Sequence, residues 1–189
     1  MHDLPLKVAS LMRDFRPPWF IAGGWAIDLH LGRVTRAHDD IEVGVFRADQ
    51  LALQRHLEGW ELRKATGGEL HLWRRGEFLE PPVHEIHCFN TSAELPGLEV
   101  LLNEWDGREW VYRRDGRVRR SLDRCVLDAG AGLKYLCPEA VLLYKSKNPR
   151  EKDERDFAAV AGRLDAERRG WLKGALATCA PHHHWLESL

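Results

Sequence analysis

The chain has 189 residues, 28 Lys+Arg against 29 Asp+Glu, a formal net charge of -1, 44% hydrophobic residues and 30% charged ones. That is the composition of one folded domain or two small ones, and a chain of this length buries roughly 70% of its unfolded surface, enough for a core without disulfides or a structural metal. The balanced charge argues against an extended nucleic-acid footprint, and no apolar run approaches the ~20 residues of a membrane span. The cysteines at 88, 125, 137 and 179 form no Cys-x-x-Cys pair, so free thiols in a reducing compartment are expected. Met1-His2-Asp3-Leu4-Pro5 has no basic-then-apolar signal pattern, so a cytoplasmic protein is expected, as a monomer or homodimer.

In chain order, Leu4, Val8, Leu11, Met12 and Phe15 recur at helical spacing until Pro17-Pro18 stops the helix. Trp19-Phe20-Ile21-Ala22 reads as a buried strand closed by Gly23-Gly24, and residues 25–31 as a short helix that Gly32 ends. Residues 40–46 form the next strand, and a helix over about 48–58 follows. From residue 60 the apolar period changes to two, which predicts strands at 60–65, 70–74, 83–89, 98–103 and 109–113, continuing one mixed sheet. Helices are predicted at 139–147, 152–164 and 166–178, with a last turn at 185–189. Strands first and helices later predict an α+β fold, a mixed sheet flanked by helices with a helical C-terminal part. A soft boundary is expected near 128–137, where Gly130 and Gly132 cluster, dividing a catalytic part (1–127) from a helical one (128–189).

The stretch richest in chemistry runs from Gly23-Gly24-Trp25-Ala26-Ile27-Asp28 to Thr35-Arg36-Ala37-His38-Asp39-Asp40-Ile41-Glu42. Residues two apart on a strand share a face, so Asp40 and Glu42 present two carboxylates together. Hard oxygen ligands at that spacing suit Mg²⁺, which binds through one or two carboxylates plus phosphate oxygens. Gly-Gly between a strand and a helix permits close backbone approach, and the helix start offers free N–H groups to a triphosphate. Taken singly, each feature is ordinary turn or edge-strand chemistry; their succession within twenty residues is difficult to obtain from packing alone.

These residues resemble the signature of the aminoglycoside and lincosamide nucleotidyltransferases, within the polymerase-beta-like nucleotidyltransferase superfamily. The resemblance spans about residues 19–47. It implies a nucleotidyltransferase fold, metal ligation by Asp40 and Glu42, and nucleotide phosphates along Gly23 and Gly24. It also implies transfer of a nucleoside monophosphate, expected to be AMP from ATP, to a hydroxyl of a small acceptor such as an aminoglycoside or lincosamide, with release of pyrophosphate and with Mg²⁺ as cofactor.

A third carboxylate on a later strand is implied as well, with Glu85, Glu99 and Glu104 available. Glu99 opens the apolar run Glu99-Val100-Leu101-Leu102-Asn103, where an acid is out of place unless it faces a polar cleft. It is the first choice, for metal and as general base; Glu85, between His84 and His87, is the second. Arg36, and Lys145 on an apolar helix face, are the expected cations for the triphosphate, with Lys147 as an alternative. Lys152-Asp153-Glu154-Arg155-Asp156-Phe157 resembles a pattern of superfamily relatives but also reads as a salt-bridged helix start. The basic segment 113–120 reads as a solvated turn, His182-His183-His184 as a native tail, and Trp73 or Trp110 as possible stacking surfaces. Two competing functions are a non-catalytic or toxin-like protein of the same fold acting on RNA or protein, and a metal-dependent phosphohydrolase using His38-Asp39 with His84 and His87.

Overall fold

The computed structural model describes residues 3–91, 95 and 97–189. Helix α1 (Asp3–Leu11) leads into strand β1 (Trp19–Ile21), helix α2 (Gly23–Leu31) and strand β2 (Ile41–Phe46). A 3₁₀ turn (Arg47–Asp49) precedes α3 (Gln50–His56). Then come β3 (Glu61–Thr66), β4 (Glu69–Leu72), β5 (Glu85–Phe89), β6 (Leu98–Trp105), β7 (Glu109–Val111) and β8 (Arg119–Ser121). The four-residue helix α4 (Leu122–Cys125), strands β9 (Val126–Gly130) and β10 (Leu133–Leu136), and helices α5 (Pro138–Lys145), α6 (Glu151–Val160) and α7 (Ala166–Cys179) complete the chain, which ends in a 3₁₀ turn (His184–Glu187).

One mixed sheet organises the molecule, in the order β4-β3-β5-β6-β2-β1-β10-β9, with β7 and β8 added along the end of β6. Strand β2 runs parallel to β6 and antiparallel to β1, which in turn runs parallel to β10. The expected α+β architecture is therefore the observed one. The glycine cluster read as a soft boundary is a hairpin turn: Gly130, Ala131 and Gly132 all take positive φ and join β9 to β10. The sheet thus extends to Leu136, and the C-terminal run of helices begins only at Pro138. Strands β8 to β10 escape a periodicity reading because each has five residues or fewer, β8 has no apolar residue, and β9 and β10 carry a charged residue among their apolar ones.

Local chemistry sets the helix ends. At the end of α2, Gly32 takes φ 67° and donates its N–H to the carbonyls of Asp28 and Leu29, a left-handed stop that glycine adopts at least cost. Pro138 opens α5, where a missing N–H is no loss. Asp165 caps α7 by accepting the Arg168 N–H at 2.8 Å. Along the central strands, Ile41, Val43 and Val45 of β2 with Leu98, Val100 and Leu102 of β6 are buried on one face. The opposite face carries Glu42 and Glu99 instead. Helix α2 packs on β2 and β10 and against α5 and α6, which brings the helical part over this polar face.

Candidate active site

Register builds the centre of the site. Glu42 on β2 pairs with Glu99 on β6, Glu99 pairs with His87 on β5, and His87 pairs with Arg63 on β3. Paired residues project to the same face, so the four form one row across four strands. His87 Nδ1 is 3.4 Å from Glu99 and its Nε2 is 2.7 Å from Glu85. Asp40 precedes β2 by one residue and lies close enough to Glu42 and Glu99 for its charge to act on both. Burial pushes the Glu99 carboxyl up to about 7; His87 opposes the shift, while Asp40, Glu85 and Glu42 add to it. Burial likewise raises Glu42, against the pull of Lys145. Glu104, by contrast, is bound to Arg47 at 2.7 Å, an ion pair further fixed by Arg47 hydrogen bonds to Leu79 and Val83 carbonyls.

The Gly23-Gly24 turn closes over this centre. Gly23 has φ +55°, and a Cβ there would fall on the Glu42 carboxylate. A Cβ on Gly24 would collide with Arg36 and with the His38 ring. Both glycines are therefore required by close approach, and the first also by its backbone conformation. Behind them is a buried anchor that the sequence did not single out. Asp28, fully buried, accepts hydrogen bonds from the Thr35 N–H at 3.0 Å and from His38 at 2.6 Å. Burial would raise its pKa, but hydrogen bonds from His38 and Thr35 outweigh this and hold it below the usual carboxylate value. His38 stacks on Trp25 at 4.5 Å, and the Trp25 indole donates to the Asp40 carbonyl at 3.1 Å. His38 thus holds the loop that carries Asp40.

Of the two cations chosen from sequence, Lys145 borders the cleft and Arg36 lies beside Gly24, and both are already paired. Lys145 Nζ is 2.7 Å from Asp153 and 2.9 Å from Asp156. Arg36 grips the same Asp156 at 3.0 and 3.2 Å. The Lys-Asp-x-x-Asp segment therefore joins α6 to the loop before β2 and to the end of α5. Lys145 also borders a cavity of about 310 Å³ together with Gly23, Glu42, Glu85, Arg113 and Tyr144. Trp73 and Trp110 do not face it: they are 3% and 0% exposed, and Trp110 donates to Asn103 at 3.0 Å within the core. Both occupy strand or turn positions whose side chains point into packed layers, and the aromatic ring bordering the cleft is Tyr144. At the C-terminus, His183 bonds the Ser146 carbonyl at 3.0 Å, His184 pairs with Glu154 at 3.0 Å, and Trp185 stacks on Phe157 at 4.3 Å, which makes this segment part of the helical packing.

A mixed sheet with acidic residues on its central strands and a Gly-Gly turn above them is the fold of nucleotidyltransferases. Among solved structures, the chain is similar to ANT(2'')-Ia in complex with adenylyl-2''-tobramycin, at TM-score 0.62 and 19% identity over 94% of this chain and 97% of that one. It is likewise similar to the lincosamide antibiotic adenylyltransferase LnuA with lincomycin bound, at TM-score 0.60 and 17% identity over 87% and 98%. A 2''-aminoglycoside nucleotidyltransferase of Escherichia coli is 69% identical over 122 residues, covering 56% of this chain and 69% of that one, and one of Klebsiella pneumoniae matches to the same extent. Residues 5–160 match the model of the aminoglycoside-2''-adenylyltransferase family, and the chain belongs to that family. It is an enzyme of the nucleotidyltransferase class. Among the described residues, no helix is long and apolar enough to cross a membrane.

Proposed function

We propose that the protein transfers AMP from ATP to a hydroxyl of a small aminated sugar acceptor of the aminoglycoside type, releasing pyrophosphate, and that it acts in the cytoplasm as a monomer or homodimer. The observation that carries this reading is the pairing of Glu42 and Glu99 on one sheet face, with Glu42 directly beneath the Gly23 turn and Asp40, one residue before β2, near enough for its charge to act on both. The carboxylates suit a magnesium ion: they are an all-oxygen donor set, and burial and mutual repulsion raise both Glu42 and Glu99. Bound Mg²⁺ would neutralise charge on the phosphates and on the leaving pyrophosphate. Asp40, Glu42 and Glu99 would hold it.

The remaining work falls to the chain's own groups. Backbone at Gly23 and Gly24 lets phosphate oxygens approach α2 as no side chain could. Lys145, positioned by Asp153 and Asp156, sets positive charge beside Glu42. Glu99 or its neighbour Glu85 accepts the proton of the attacking hydroxyl, the role of a general base. Within the division of labour we infer, the sheet holds the reacting centre and the helices beyond Pro138 close the cleft.

Purified protein with Mg²⁺, ATP and a panel of aminoglycosides and lincosamides should release pyrophosphate with at least one acceptor. Release of inorganic phosphate alone, or transfer only to RNA or protein, would overturn the proposed reaction and acceptor respectively.

A further inference from the structure

Of the basic residues bordering the cavity, Lys145 is neutralised by Asp153 and Asp156, and Arg150 by Asp153. Arg113 is not. Its guanidinium is half-buried, lies 5.5 Å over the Tyr144 ring, and among the described residues forms an ion pair with no carboxylate. Neighbouring Arg114 is fixed differently, donating to the Tyr144 carbonyl at 2.7 Å and to the Tyr112 hydroxyl at 3.3 Å. The same cavity is bordered by Lys147, two residues beyond the end of α5 and exposed. Holding a guanidinium partly out of water without an acid costs free energy, and burial correspondingly lowers its proton affinity. The same cavity carries Glu42 and Glu85 as well, so it is the part bordered by Arg113 and Lys147 that suits a polyphosphate.

We propose that Arg113 and Lys147 form the subsite for the β- and γ-phosphates of the nucleotide donor, an inference that rests on the nucleotidyl-transfer reading above. In the transfer, the acceptor oxygen bonds to the α-phosphorus and gives its proton to a carboxylate of the cleft, while the bond from that phosphorus to the α,β-bridging oxygen breaks. The electron pair stays on the bridging oxygen, so negative charge grows on the departing pyrophosphate. Fixed cations at that end stabilise the growing charge without rearrangement.

The test is calorimetric binding of ATP, pyrophosphate and AMP, each with Mg²⁺, to wild type, Arg113→Gln, Arg113→Lys and Lys147→Gln. Loss of one charge-assisted contact should weaken ATP and pyrophosphate by about 10- to 100-fold in Arg113→Gln. AMP binding should stay within about twofold, which also certifies the fold of the variant. Arg113→Lys should recover part of the loss, and Lys147→Gln should show a smaller loss in the same direction. Equal weakening of AMP, or unchanged binding of ATP and pyrophosphate by Arg113→Gln, overturns the subsite while leaving the reaction intact. Failure of the wild type to bind either polyphosphate overturns both.

Discussion

Glu42 and Glu99 are register partners on parallel neighbouring strands, so two carboxylates stand side by side on one face of the sheet. Packing gains nothing from that arrangement. Burial raises both groups, and the Glu42 charge adds to the shift of Glu99, which rises to about 7, a stability cost that grows as the pH rises from the ordinary glutamate value towards that figure. In the absence of divalent cations, Glu99→Gln is therefore expected to be more stable than wild type by about 2 kcal/mol at pH 8. The difference should shrink towards zero as the pH falls to about 4.5. Urea unfolding in EDTA across that range measures it, and equal stabilities at pH 8 would contradict the raised carboxyl.

Asp153 shows the opposite sign. Burial would raise it, but Lys145 and the Arg150 backbone and side chain hold it at about 2. A depressed carboxylate stabilises the fold above its unfolded value near 4 and loses that contribution as the pH falls towards 2. Asp153→Asn should cost about 2 kcal/mol at pH 7. The gap to wild type should close between about pH 4 and pH 2, as read by chemical denaturation at each pH.

Gly23→Ala places a methyl group on the Glu42 carboxylate at a residue with φ +55°. The backbone conformation alone costs about 1 kcal/mol, so the melting temperature should fall modestly. Turnover should fall much further, about 100-fold or more, because the Glu42 side chain must move. Comparable activity in the alanine variant would show that the turn does not confine that carboxylate.

Asp28→Ala removes the acceptor for Thr35 and His38 in a fully buried place. Leaving those donors without a partner should cost about 3 kcal/mol. The loop carrying Asp40 should loosen with it, since Trp25 and His38 hold that loop together. Faster hydrogen exchange across residues 35–41 would register the change, and unaltered exchange would speak against the anchor.

Asp40 and Glu42 were legible from their two-residue spacing on a strand, and Glu99 because an acid within an apolar strand run needs a polar cleft to face. Gly23 and Gly24 were legible from their place between strand and helix. Arg113 was not, since a run of arginines around a turn has the composition of a solvated loop, and only β6 and α5 bring it over Tyr144. The pairing of Lys145 with Asp153 depends on how α5 packs against α6, which no spacing encodes. Strand β10 was missed for a related reason: its pairing with β1, more than a hundred residues earlier, defines it as a strand better than its own four residues do.

The most direct measurement of the central claim is pyrophosphate release from ATP in the presence of Mg²⁺ and an aminoglycoside, comparing wild type with Asp40→Asn combined with Glu42→Gln. The carboxylate centre predicts release by the wild type and a loss of about 1,000-fold or more in the double variant, with its fold retained by circular dichroism. A double variant that releases pyrophosphate at the wild-type rate would contradict it.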